Sequence, residues 1–514
     1  MSKTNIIYNV EDKPGWGKTI VFALQQLLAI LAATIAVPAI IGNGMSASAA
    51  LLGAGIGTMV YLLFTKFKSP VFLGSSFAFI GSMFAAFGGA ASAAMGYIGL
   101  ILGAAFAALV YVIIAIIVKF AGTAWINKIM PAVVIGPTVA IIGLSLAGNA
   151  VGDLLSGSFY HDVTSQVSGV VESLDGLNII GTPTPLVEGG YYATYEVTES
   201  VMATNMWIAL LCGLITLFVT IIVSVYGKKF LKMIPFIFGI LAGYAAAAIF
   251  TGIGYLTHLD FLKVIDFTKF LHMEWLPRFT FIEAFKGFSD IHSAGEFFTY
   301  FGAVAVAYVP VAFVVFAEHI ADHKNLGSII DRDLLNEPGL HRTLLGDGVG
   351  SFAGAFFGGC PNTTYGESVG TVAISGNASI RTIIVTAIMA MILAFIAPFS
   401  TFLSTIPSCV MGGVCIALYG FIAVSGLKMI QGADLGDNRN LFVVSVILIA
   451  GIGGLELTIG GKVTITEIAC ALILGIIVNI VVHFGKKTRA DKKSEVIDQP
   501  KPEEEVKEET KQEA

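Results

Sequence analysis

Pro361-Asn-Thr-Thr-Tyr-Gly-Glu-Ser368 sets a proline, a glycine and the carboxylate of Glu367 between long apolar runs. A charge at mid-bilayer costs about 2.5–3.5 kcal/mol even on the lenient insertion scale. A Pro/Gly-broken helix also frees N–H and C=O groups that lipid cannot satisfy. A segment of this kind has to face protein, water or a ligand, so the stretch marks a site as well as a break.

The rest of the chain supplies the membrane that this reading needs. Of 514 residues, 56% are hydrophobic and only 12% charged, with a mean hydropathy of +0.84, which a water-soluble surface of this size does not permit. Between residues 19 and 484 about 14 apolar runs approach the roughly 20-residue spanning length. The first, 19–41, is too long for a signal-peptide core and reads as a retained helix, with no targeting peptide. The five cysteines, Cys212, Cys360, Cys409, Cys415 and Cys470, are scattered through apolar runs without metal-ligand spacing. They read as packing residues, with neither a metal site nor a disulfide framework.

Basic residues set the orientation. Lys3, Lys13 and Lys18 precede the first span, Lys66 and Lys68 follow the second, and Lys228, Lys229 and Lys232 lie between the sixth and seventh. The connection 149–205 has no Lys or Arg but carries Asp153, Asp162, Glu172, Asp175, Glu188, Glu196 and Glu199, which places it outside. An even span count then puts both termini in the cytoplasm of a multi-pass cell (inner or plasma) membrane protein. Lys263, Lys269, Arg278 and Lys286 in the external segment fit this topology least well. The expected division is a cytoplasmic N-terminus at 1–18, spans 1–5 at 19–148 and an acidic extracellular loop at 149–204. Spans 6–7 follow at 205–255, an extracellular segment at 256–297, spans 8–11 at 298–400, spans 12–14 at 401–485 and a charged, disordered cytoplasmic tail at 486–514.

Ser69-Pro-Val-Phe-Leu-Gly-Ser-Ser-Phe-Ala-Phe79 opens the short third span much as the stretch at 361–368 opens the tenth. Both look like half-helices entered from a strand-like segment. Paired short, Gly/Pro-interrupted spans in corresponding halves point to an inverted-repeat transporter with its site at the midplane. The alternative is two re-entrant loops packed on neighbours. The fold class is therefore an all-α polytopic membrane protein of about 14 spans in two inverted seven-helix repeats, spans 3 and 10 broken by short strand-like segments. Small residues at 84–103 and 346–359 let helices approach closely.

In Phe316-Ala-Glu-His-Ile-Ala-Asp-His-Lys324, Glu318 and Asp322 are four apart and share a helix face. Either the span ends at Ala317 and these are surface charges, or the helix continues and Glu318 is drawn inside, where it suits a proton carrier. With Glu367 and the N–H groups of two half-helices, two carboxylates define a ligand type: a planar heterocycle with alternating N–H and C=O groups. Phe77 and Tyr419 offer flat walls. Asp347 and Glu467 are at least as well explained as structural groups. His341 and Arg342 read as anchors of a cytoplasmic loop.

Leu73-Gly-Ser-Ser-Phe-Ala-Phe-Ile80, Ala317-Glu-His, Asp333-Leu-Leu, Pro338-Gly-Leu-His-Arg342, Pro361-Asn-Thr-Thr-Tyr-Gly-Glu367, Val410-Met-Gly-Gly-Val414 and Leu418-Tyr-Gly420 occur in that order. Together they resemble the nucleobase/ascorbate transporter family (nucleobase:cation symporter-2), and within it the bacterial uracil permeases, over roughly residues 15–485. The resemblance implies a core domain (spans 1–4 and 8–11), a gate domain (5–7 and 12–14) and uptake of the nucleobase uracil coupled to protons, with no cofactor. It implies that Glu318 and Glu367 bind the pyrimidine's polar edge, helped by N–H groups of Phe77 and Gly366. Tyr365 would support the strand of span 10, and Tyr419 would close the site. Glu318, Asp322 and Gln26 would carry or assist the coupling proton. The implied surroundings are membrane lipid and no nucleic acid; a homodimer is compatible with them.

Three departures bear on that transfer. The chain has Gln25-Gln26 where relatives often have Gln-His, Asp322 where they commonly have His, and Ser368-Val-Gly370 where Asn-x-Gly is usual. A same-family carrier of xanthine or another purine, or an anion exchanger or channel of this architecture, stays open. No His-Glu-x-x-His, Gly-x-Ser-x-Gly or paired intramembrane Asp motif suggests an enzyme.

Overall fold

A computed structural model describes residues 6–171, 178–185, 191–228, 231–291, 293–459 and 463–483. The charged tail at 486–514, together with Lys3, Glu172, Asp175, Glu188 and Lys229, lies outside the described residues. The chain is mostly helical. Among the described residues eight helices are long and apolar enough to cross a membrane, or nine if the pair Ile380–Ala394 and Ala397–Ser404, bent by 83°, counts as one span. Shorter apolar helices at Phe77–Gly88, Asn438–Ile452 and Glu467–His483 fall below that length. The expected fourteen are therefore not reached by length and apolarity alone.

Helix ends follow their sequence signals. Ser46, Ser92 and Ser293 accept from the N–H of Ala49, Met95 and Glu296 respectively and start their helices. Gly359 and Gly376, at φ 80° and 65°, stop theirs in a conformation that costs any residue with a Cβ.

Two strands of three residues cross in the middle of the bundle. Leu73–Ser75 pairs antiparallel with Asn362–Thr364, with Leu73 opposite Thr364 and Ser75 opposite Asn362. The N–H groups of Ser76 and Tyr365 extend the ladder to Pro361 O (2.9 Å) and Phe72 O (3.3 Å). Helices Phe77–Gly88 and Gly366–Ser375 leave the strands in opposite directions. Both breaks expected from the sequence are present, and each strand satisfies the other's backbone.

Helices Trp16–Ile41, Ala47–Phe64, Ala294–Ile330 and Leu340–Gly358 pack on the strand pair, with Ala93–Ala121 behind Leu340–Gly358 and Ile380–Ala394 behind Ala47–Phe64. Ala47–Phe64 and Leu340–Gly358 meet backbone to backbone. A Cβ on Gly53 would stand 2.4 Å from Gly354 O, and one on Gly57 2.6 Å from Gly350 O. Helices Ala132–Ser145, Met206–Tyr226, Pro235–Thr257, Ser408–Ile430, Asn438–Ile452 and Glu467–His483 pack mainly among themselves.

The region expected as a polar loop is in large part a sheet, so the chain is not purely helical. Tyr160–Val171, Asn178–Pro185 and Tyr191–Met202 form an antiparallel sheet with Tyr191–Met202 central. Alternating Val, Thr and Tyr over polar residues is a strand pattern with period two, and acidity alone concealed it. The sheet is rooted on the segment before helix Ala294–Ile330: Ser158 N donates to Val264 O and Asn205 N to Phe261 O.

At the opposite end, residues 6–15 strap the bundle. Ile7 N reaches Gly376 O at 2.7 Å, Ala378 N reaches Tyr8 O, and Arg332 grips Glu11 with two hydrogen bonds. That guanidinium holds the Glu11 carboxyl below its ordinary range. Both groups are solvent-facing, so the pair contributes at most about 1 kcal/mol.

Gly53→Ala should cost about 1–3 kcal/mol through overpacking against the Gly354 carbonyl. Gly252→Ala, where a Cβ meets nothing within 4 Å, should be near neutral. Thermal unfolding of the two purified variants in detergent checks the contrast.

Candidate functional site

Helix Ala294–Ile330 runs unbroken through Pro310 for 37 residues. It carries Glu318 and Asp322 past the apolar stretch that could have ended at Ala317, and both side chains are half-buried. Their helix passes the N-terminus of Gly366–Ser375. Asp322 Oδ2 accepts from Thr364 Oγ1 at 2.8 Å, and its other oxygen stands 3.8 Å from where a Cβ on Gly366 would be. Glu367, the next residue, is half-buried too. Glu318, Asp322 and Glu367 are within electrostatic reach of one another. The site thus has three carboxylates rather than two, on facing elements.

Opposite them stand the donors. The N–H groups of Phe77, Gly366 and Glu367 sit in the first turns of the two half-helices, where no carbonyl precedes them to accept. Among the described residues none of the three finds a partner outside its helix. The hydroxyl of Ser76, just before Phe77, is buried and has no partner there either.

The sequence-derived residues take distinct positions. Phe77 and Tyr419 are in contact, rings edge to face with centroids 5.6 Å apart. Tyr365 is buried and donates to Ser75 O at 2.8 Å, pinning one strand to the other. Its ring lies 2.3 Å from where a Cβ on Gly74 would be, so only glycine fits at 74. Gln26 does not meet a carboxylate: its Nε2 donates to Ser368 Oγ at 2.5 Å, and the same hydroxyl accepts from Phe72 N at 3.0 Å. Ser368 thereby ties the half-helix that carries Glu367 to the first helix and the first strand. Sequence reading noted it only as a departure.

Behind the carboxylates lies a buried polar array that sequence reading did not assemble. His319 Nδ1 is 2.7 Å from Asp347 Oδ2, and Nε2 is 2.9 Å from Thr343 Oγ1. Thr343 donates its own hydrogen to Leu340 O, so its oxygen accepts from Nε2–H. One proton then lies between Nδ1 and Oδ2, and the pair is neutral overall, which spares the interior a net charge. His323 lies against His319, centroids 4.0 Å apart. Its Nδ1 donates to His319 O at 2.8 Å, and its Nε2 lies 2.7 Å from the Tyr61 hydroxyl, which itself donates to Ser69 Oγ at 2.7 Å. His323 therefore faces away from the recess. The one available signal was Asp347 inside a Gly-rich helix.

Asp347→Ala should destabilise the protein by about 1–3 kcal/mol by stranding His319 Nδ1. Glu318→Gln, with no such partner, should unfold close to wild type. Denaturation of the two variants in detergent distinguishes a supporting acid from a recess acid.

Comparison with known proteins places this geometry in context. The model of the Permease family (Xan_ur_permease) matches residues 17–174 and 163–460. A uracil permease of Bacillus subtilis (strain 168) is 36% identical over 496 residues, covering 96% of this chain and 98% of that protein. A uracil permease of Escherichia coli (strain K12) is 31% identical over 470 residues, covering 91% and 92%. A putative pyrimidine permease, RutG, of the same strain is 28% identical over 456 residues, covering 88% and 86%. Among solved structures, the transmembrane domain of a cyanobacterial bicarbonate transporter, BicA, superposes with a TM-score of 0.54 at 14% identity, covering 91% of this chain and 97% of that one. Murine Slc26a9, an anion transporter, gives 0.55 at 12%, covering 92% and 69%. At such identities the likeness is one of fold.

Proposed function

The chain belongs to the Permease family, and from that membership we propose that this multi-pass membrane transport protein imports uracil together with protons. The observation that carries the reading is the set of three half-buried carboxylates facing free half-helix N–H groups. Carboxylates accept from ring N–H, and backbone N–H groups of Phe77 and Gly366 donate to ring carbonyls, which matches the alternating edge of a neutral imide. The Phe77–Tyr419 lid covers the ring's apolar face.

Proton coupling follows from the same carboxylates. Glu318 and Asp322, one turn apart and facing Glu367, repel one another when ionised. A proton shared between them removes that repulsion and lets the loaded carrier reorient. Each proton entering across 100 mV contributes about 2.3 kcal/mol. Gln26, bound to Ser368, acts by holding Glu367's helix rather than by titrating.

Reorientation is a movement of the helices around the strand pair against the group built on Ser408–Ile430, with both termini cytoplasmic. Reading the bent pair as one span, and Leu340–Gly358, Gly366–Ser375 and the three shorter apolar helices as spans as well, gives fourteen, seven in each inverted half. The relatives named as uracil permeases support uracil over a purine. The bicarbonate and anion transporters share the fold, but three carboxylates disfavour a permanent anion at this site.

Proteoliposomes under an inward proton gradient should accumulate radiolabelled uracil, lose that uptake with a protonophore, and resist excess xanthine. Glu367→Gln should lower uptake about tenfold or more, the value of a hydrogen bond to a charged group. Uptake of a purine or an anion in place of uracil would retain the fold and overturn the cargo.

A further inference from the structure

A cavity of about 720 Å³ opens at the end of the bundle where helix Trp16–Ile41 finishes and helix Ser408–Ile430 begins. Its walls include Ile35 and Pro38 of the first and Met411 of the second. Ile35 lies nine residues beyond Gln26 and Met411 eight before Tyr419, so at 1.5 Å per residue the cavity is about 12–14 Å along either helix from those two residues. Ile30 and Thr34 on one helix, and Val414, Cys415 and Leu418 on the other, are buried. Between this vestibule and the Phe77–Tyr419 contact, the two helices are thus filled by buried side chains.

The vestibule's charges are two acids, Asp153 and Glu274, and two bases, Lys269 and Arg278. Three of them are engaged. Arg278 holds Glu274 through two hydrogen bonds, and Lys269 Nζ donates to Ser404 O at 2.8 Å. Asp153 is left over: half-buried, facing the cavity, and with no side-chain hydrogen bond or ion pair among the described residues. Its position is fixed, because a Cβ on Gly412 would stand 2.8 Å from Asp153 C and 2.3 Å from Leu154 N. That backbone contact sets the carboxylate over the same helix that, two turns further on, presents Tyr419.

A chamber whose formal charges cancel neither concentrates nor excludes ions strongly. With one free acceptor, and with His272 and the hydroxyls of Ser46 and Ser48 on its walls, it suits a small neutral ring bearing N–H and C=O groups. Its volume exceeds that of one such ring, so the ring keeps much of its water and binds weakly. We propose that this vestibule is a staging site, in which Asp153 accepts a ring N–H of the incoming nucleobase before the lid opens to the recess. This rests on the transport reading above and adds a second station to it.

The test compares two constants for full-length protein. KM for external uracil is measured in right-side-out vesicles, and Kd in detergent, where ligand has access to both faces of the protein. Asp153→Asn should raise KM about threefold to tenfold, the value of one weakened hydrogen bond, while leaving Kd and the maximal rate unchanged. Asp153→Glu should restore most of the loss. An unchanged KM in a correctly inserted Asp153→Asn protein overturns the staging site. So does a Kd that rises in step with KM, since Asp153 would then act through the recess. Wild-type vesicles that take up no uracil would instead overturn the transport reading, which the unmutated control reveals separately.

Discussion

Five opposed residue pairs, from Phe72–Tyr365 to Ser76–Pro361, permit everything else in this molecule. Two helices are interrupted inside a membrane, where an unpaired N–H or C=O costs several kcal/mol. The interruptions are tolerated because each strand supplies the other's partners. Short antiparallel strands need only three residues apiece, and their crossing brings two helix N-termini to one place with their N–H groups unspent. Neither half of the chain can make this site alone.

The surrounding sequence serves that crossing. Glycines at 53, 57, 350, 354 and 358 bring two helices into backbone contact beside the strands, and Asn362 reaches across to donate to Gly53 O at 3.0 Å. Thr58 accepts from Leu73 N and donates to Leu73 O. Tyr365 and Ser368 then fix the second strand and its helix. Carboxylates placed on so rigid a frame would lose little by ordering around the proposed ligand, so more of the hydrogen-bond energy would appear as recognition. The neutral His319–Asp347 pair behind them holds helix Ala294–Ile330 without adding a fourth charge to the recess.

Both breaks were legible in the sequence because proline and glycine have local meaning: Pro361 and Gly366, like Pro70 and Gly74, interrupt runs that otherwise read as spans. That the two strands pair with each other was not legible, since residues almost 290 apart carry no local sign of their meeting. Glu318 and Asp322 could be placed on one face by spacing alone, but only the continuing helix shows that they are inside. The buried histidines were hidden for a related reason. His319 and His323 look like part of the Glu-His pattern at a helix end, and their role depends on Asp347, Thr343 and Tyr61 from other helices. The sheet at 160–202 was missed because its alternation runs through polar residues, which acidity made look like loop.

A structure of the protein with uracil bound tests the central claim most directly. The account predicts the ring in the recess beneath Phe77 and Tyr419, with its N–H groups within hydrogen-bond distance of Glu318 and Glu367 and a carbonyl facing the N–H of Phe77 or Gly366. Uracil bound elsewhere while the recess stays empty, or a ring seated there without contact to either glutamate, would contradict it.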